Sequence, residues 1–100
     1  MQSVKTVRVE VSGRVQGVGF RDWVRNLAVD RALTGWVRNR RSGSVELLLH
    51  GNAAQVDLVL QELWIGPPAS AVSNVRVEPS LPFDEGGAVD LTSFVRRPDA

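Results

Sequence analysis

Three glycines within seven residues, Gly13, Gly17 and Gly19, separate a run of alternating valines from a run with helical periodicity. No other feature restricts the fold as much, because a chain that passes from a strand through a glycine turn into a helix is building a β-α unit. On the amino-terminal side, VKTVRVEVS at residues 4 to 12 sets Val4, Val7, Val9 and Val11 in near-strict alternation, the pattern of a half-buried strand rich in β-branched side chains. On the other side, RDWVRNLAVDRAL brings Trp23, Val24, Leu27 and Ala28 onto one helical face, with Leu33 a further candidate.

The remaining chain carries a second such unit. After Thr34 and Gly35, the runs WVRN and SVELLLHG are joined by RRSGS, whose Ser-Gly pair suits a hairpin. Asn52 can cap AAQVDLVLQELW, in which Val56, Val59, Leu60 and Leu63 recur at helical spacing, and Gly66-Pro67-Pro68 ends that helix. SAVSNVRVEP predicts a fourth strand, Pro79 to Gly87 a loop, and VDLTSFVRR a short last strand. The order βαββαβ predicts a ferredoxin-like α/β (α+β) sandwich. Two helices cover one face of a four-stranded antiparallel sheet, and the last strand is a short extra edge strand. A right-handed crossover makes strands one and two parallel, with strand three inserted between them, so their carboxyl ends share one edge of the sheet. The turn at residues 13 to 19 then faces the end of strand two around Asn39, whose parity with core-facing Val37 directs it toward the helices.

Composition narrows what such a site can do. One hundred residues, 43% hydrophobic and 23% charged, predict a single domain over residues 1–100. With no cysteine and with His50 the sole histidine, thiolate zinc sites, iron–sulfur clusters, cysteine nucleophiles and histidine metal cages are excluded. His50 itself, at the end of a strand, reads as structural or exposed. Twelve Lys+Arg against eleven Asp+Glu is too even for bulk attraction to nucleic acid, so any anion must be bound locally. The start MQSVKTVRVEV lacks the basic and apolar regions of a signal peptide, and no apolar run approaches the ~18 residues of a membrane span. A cytoplasmic protein with no membrane partner is expected. Trp23 falls on the core stripe, Trp64 closes helix two, and Trp36 falls on the open face of the sheet. RNA-recognition modules stack bases on clustered aromatics there, but strands one and three carry none, and no nucleic-acid partner is expected.

A glycine turn that runs from a strand into a helix aims backbone N–H groups into a concavity beside the positive end of the helix dipole, where phosphate is the natural occupant. Asp22 stands where a dinucleotide fingerprint needs its third glycine, and no Gly-Lys-Ser/Thr follows as a P-loop requires, which argues against a nucleotide. Arg21 is a cation in the first turn, a position the helix dipole disfavours unless an anion lies between them. Its planar fork makes it the best candidate to close the cradle. Asp22 suits the helix start and should slightly weaken anion binding. Gln16 either bonds the ligand or braces the loop, and Arg14, Arg38, Arg40 and Arg41 read as a solvated basic rim at the same edge, with steering of anionic substrates the alternative.

VSGRVQGVGFR (Val11 to Arg21), followed by GWVRN (Gly35 to Asn39) and SGSVELLLHG (Ser42 to Gly51), resembles the two signature segments of the acylphosphatases, in order and at their usual separation. The element order extends the resemblance from about residue 5 to 96. It implies hydrolysis of acyl phosphates to a carboxylate and inorganic phosphate without metal or cofactor. It assigns phosphate binding to the loop Gly13, Arg14, Val15, Gln16, Gly17 and Val18 together with Arg21, and orientation of the attacking water to Asn39. Arg21 and Asn39 are thus the expected catalytic residues. Where the family commonly has glycine before Leu33, this chain has Ala32, which suggests a strained end to helix one.

So sparse a site is chemically sufficient. Phosphoryl transfer runs through a loose transition state served by positioning and preorganised donors. A leaving carboxylate, whose conjugate acid has a pKa of about 4, needs no general acid. With no basic side chain expected at the loop, the substrate phosphate can accept the proton of the water. The expected partners are a small acyl phosphate as substrate and inorganic phosphate or sulfate as inhibitor, acting on a monomer. The alternative is a non-catalytic phosphate-binding regulatory or accessory module of the same fold. A third reading, a stand-alone relative of the acylphosphatase-like domain of carbamoyl-phosphate-handling maturation proteins, is disfavoured because no zinc-finger cysteines follow.

Overall fold

Alternate valines make one side of β1 (Val4–Arg14) part of the core: Val7, Val9 and Val11 are buried in the computed structural model, which describes residues 3–81, 83–84, 87–88 and 92–100. The element order continues with α1 (Phe20–Asp30), β2 (Thr34–Asn39), β3 (Val45–Asn52), α2 (Ala53–Leu63), β4 (Ala71–Pro79), β5 (Phe83–Asp84), β6 (Gly87–Ala88) and β7 (Phe94–Arg96). The main sheet has the order β4-β1-β3-β2-β7. β3 is antiparallel to β1 on one side and to β2 on the other, with Leu47 opposite both Val9 and Val37. β4 is antiparallel to β1 at one edge, and β7 lies parallel to β2 at the other.

This is the expected ferredoxin-like arrangement, with the extra edge strand turning an antiparallel sheet into a mixed one. The buried stripes of α1 (Phe20, Val24, Ala28) and α2 (Val56, Val59, Leu63) pack on Val7, Val9, Val11, Val37, Val45, Leu47 and Leu49 of the sheet. Asn52 caps α2, its side chain accepting the Gln55 amide at 3.2 Å. No helix among the described residues is long and apolar enough to cross a membrane.

Several boundaries differ from those predicted. β1 runs to Arg14 rather than residue 12, because a register shift between Ser12 and Gly13 bends the strand and lets it keep pairing with β4. The segment from Pro79 to Gly87 is not loop throughout, since Phe83–Asp84 pairs with Gly87–Ala88. The last strand is shorter than VDLTSFVRR, and residues 89–91 of that run lie outside the described residues.

The open face of the sheet is roofed. Trp36 is fully buried with Leu48, and the guanidinium carbons of Arg8, Arg38 and Arg97 lie 5.8, 5.0 and 4.7 Å from its ring centroid. Glu46, also buried, accepts from Arg38 Nε at 2.7 Å and Arg40 Nη1 at 3.2 Å. Trp36 therefore sits on the expected face but offers no stacking platform. Arg38 and Arg40, expected in a solvated rim, belong to this ion-paired layer; for Arg38 the cause is side-chain alternation, which turns it away from the face that Asn39 shares with Val37.

α1 ends at Asp30, and Ala32 adopts φ +58°, the only non-glycine positive φ among the described residues. The turn lets the Leu33 amide donate to the Ala28 carbonyl at 2.9 Å and buries the Leu33 side chain. An L-residue there costs about 1–2 kcal/mol, partly offset by the extra freedom glycine brings to the unfolded chain. Ala32→Gly should therefore stabilise the fold by about 0.5–1 kcal/mol, measured as a raised midpoint in urea at unchanged slope.

Candidate active site

The edge where β1 and β2 both end holds a small cavity of about 80 Å³, lined by Val15, Gly17, Gly19, Phe20, Arg21, Asp22, Asn39 and Arg96. That is several times the ~10–15 Å³ one water needs and well below the ~300–1,000 Å³ of a drug-sized ligand site. A small anion fits.

The local sequence explains its shape. Gly17 and Gly19 have φ +73° and +77°, and a Cβ at either would meet nothing within 4 Å. These glycines are therefore required by backbone conformation, and they leave the concave side open. Gly19 is the N-cap of α1 and offers no side-chain acceptor, so the first amides of the helix are free to face a ligand. Phe20 is buried and packs 5.4 Å from the Trp23 ring, which anchors the first turn and hence the backbone of Arg21.

Arg21 and Asn39 are brought to the same cavity from α1 and the end of β2. Asn39 is 8% exposed, and its Oδ1 is buried without a hydrogen-bond partner among the described residues. Arg21 Nη1 lies 3.3 Å from the exposed Asp99 carboxylate. The segment that carries Asp99 is held beside β2: the Arg97 amide donates to the Val37 carbonyl at 2.8 Å and the Ala100 amide to the Asn39 carbonyl at 3.0 Å.

The loop residues divide. Val15 and Gly17 line the cavity, whereas Val18 packs against the core. Gly13 and Arg14 remain in β1, opposite Val72 and Ala71 of β4, and Gly13 borders a separate concavity formed with Glu10, Ser12 and Ser42 to Ser44. Gln16 is a brace: its Nε2 donates to the Arg40 carbonyl at 2.7 Å and the Ser44 carbonyl at 2.8 Å, tying the glycine turn to the β2–β3 hairpin.

Sequence reasoning missed Arg96, whose Nη1 lies 2.7 Å from Asp22 Oδ1 across the cavity mouth. The available signal was its parity with Phe94 in FVR, but the inward face of so short a strand is not fixed until its pairing with β2 is known. His50 bonds Thr6 through Nδ1 at 2.7 Å. Among the described residues no group of three His, Cys, Asp or Glu could hold a metal ion.

Comparison with known proteins gives the class to which this sequence and fold correspond. The Acylphosphatase family model matches residues 7–85. An acylphosphatase of Rhodospirillum rubrum is 44% identical over 84 residues, 84% of this chain and 92% of that protein. The structure of an acylphosphatase from Coxiella burnetii superposes with TM-score 0.83 at 40% identity, covering 94% of this chain and 93% of that one. The crystal structure of acylphosphatase from Bacillus subtilis gives TM-score 0.80 at 36% identity, covering 95% and 99%. The chain belongs to the acylphosphatase family.

Because Gln16 makes two bonds that hold the cradle against the hairpin, Gln16→Ala should lower stability by about 1–2 kcal/mol in urea titration. If phosphate occupies the cavity as the sequence leads one to expect, the variant should also weaken competitive inhibition by phosphate several-fold while leaving kcat nearly unchanged, since Gln16 braces the turn and is not part of the cavity lining.

Proposed function

We propose that this cavity is the site at which the chain, as a hydrolase of the acylphosphatase family, cleaves acyl phosphates. The glycine-turn and α1 amides together with Arg21 hold the phosphoryl oxygens, and Asn39 orients the attacking water. The observation that carries this reading is the Asn39 carboxamide. A buried acceptor without a protein donor is costly, and a water satisfies it. Its presence in one small cavity with Arg21 and the helix-end amides supports a bound water beside a bound phosphoryl group.

In the reaction, the water donates one hydrogen to Asn39 Oδ1 and directs a lone pair at phosphorus. The new P–O bond forms as the bond to the acyl oxygen breaks in line, the carboxylate leaves with that electron pair, and a phosphoryl oxygen takes the water's proton. The amides and the Arg21 fork are already oriented when charge builds on the equatorial oxygens, so little reorganisation is needed at the transition state. Inorganic phosphate or sulfate competes for the same donors. A monomer and a cytoplasmic location complete the reading. A purely phosphate-binding module would use Arg21 and the amides but would have no need of a buried, unsatisfied acceptor beside them.

With a carboxylate as leaving group, turnover of a small aryl acyl phosphate should persist undiminished in excess chelator, whereas loss restored by added divalent metal would exclude the mechanism. Asn39→Ala should lower kcat and kcat/KM together by about 10²–10³ while leaving the phosphate inhibition constant within about twofold of the parent, because the orienting bond matters on the path to the transition state. A variant that loses phosphate affinity and keeps its kcat would make Asn39 a ligand-binding residue instead.

A further inference from the structure

The cavity mouth carries more acid than an anion site needs. Asp22 is part of its lining, and Asp99 lies against Arg21. With Arg96 present, the two arginines and two aspartates leave no net side-chain charge; without it, the mouth would be negative and would repel a phosphate dianion. Arg96 also occupies an unexpected position. Along β7, Phe94 is buried in the core, so the residue two places on faces the same helix-covered side, and there the chain places an arginine that reaches Asp22 at 2.7 Å. Fold stability does not account for the pair, because side chains 38% and 57% exposed are well screened by solvent. Asp22 needs no partner to suit its helix, where an acid in the first turn is favourable on its own.

We propose that Arg96 is a positioning residue of the phosphate site: by pairing with Asp22 it cancels the carboxylate held beside the cradle and keeps the mouth attractive to a dianionic substrate. This rests on the reading of the cavity as the phosphate site. The division of labour is that Arg21 meets the phosphoryl oxygens, displacing the exposed Asp99, while Arg96 stays on Asp22 and acts on the substrate only through the field.

The test is a double-mutant cycle with Arg96→Leu and Asp22→Asn, plus Arg96→Lys, at low ionic strength. It measures phosphate inhibition together with KM and kcat for a small aryl acyl phosphate. Exposing one carboxylate near a dianion in a solvent-open site should raise both the inhibition constant and KM roughly three- to tenfold in Arg96→Leu, with kcat little changed. The loss should vanish in the Asp22→Asn background, be largely absent in Arg96→Lys and shrink as salt is added. A purely structural role would not produce rescue by removing the acid. If Arg96→Leu costs as much in the Asp22→Asn background as in the parent, Arg96 contacts the phosphate directly and the proposal is overturned. Unchanged constants in Arg96→Leu overturn it as well. If the parent protein is not inhibited by phosphate at all, the reading of the cavity fails and this proposal falls with it.

Discussion

β3 lies between β1 and β2, antiparallel to both, and the site depends on that insertion. It forces the first two strands to run in the same direction and sets their carboxyl ends two inter-strand spacings apart, about 10 Å. That gap suits a small anion and a water, with the glycine turn supplied from one side and a strand-end side chain from the other. Leu47, opposite both Val9 and Val37, packs the middle of this arrangement, so the apolar core sets the separation of the groups at the edge. Gln16 then ties the turn back to the hairpin that leaves β2.

The two faces of the sheet solve different problems with adjacent residues. Along β2, Val37 and Asn39 face the helices, whereas Trp36 and Arg38 face away. The outward face buries a tryptophan beneath three guanidinium groups and closes the layer with Glu46, which combines ring contacts with charge-assisted hydrogen bonds. Alternation thus separates Arg38 from the cavity although it adjoins Asn39 in sequence. The sheet's basic residues do not act as one electrostatic surface, and the cavity depends on Arg21 and Arg96 for its positive side chains.

Much of this could be read from the sequence because it is local or periodic. The β1 valines, the i, i+3, i+4 pattern of α2 and its Asn52 cap each report a neighbourhood of a few residues. The glycine turn and the parity of Asn39 with Val37 were equally legible and located the cavity. Less visible were features that depend on pairing between distant segments. The strand bulge at Ser12/Gly13 is set by β4, which is why Gly13 and Arg14 remain in a strand rather than lining the cradle. The inward aim of Arg96 depends on the parallel register of β7 against β2, and the contact of Asp99 with Arg21 depends on backbone bonds made after the last strand ends. Ala32 is an intermediate case: an alanine at a helix end is unremarkable by pattern alone, and the resemblance drew attention to it.

The charges at the mouth come from opposite parts of the chain. Asp22 and Arg96 are separated by 74 residues and Arg21 and Asp99 by 78, although each pair meets directly. During synthesis, the cradle and β2 emerge well before β7, and for that interval the early residues lack the partners that set their local field. The site reaches its final electrostatic state only when β7 docks on β2, a step that closes a long loop at an entropic cost and adds to the slowness expected of non-local strand pairing. Completion of the sheet edge and completion of the cavity mouth are consequently one folding event, so a species with β7 undocked would keep most of its core yet have a mouth of different charge.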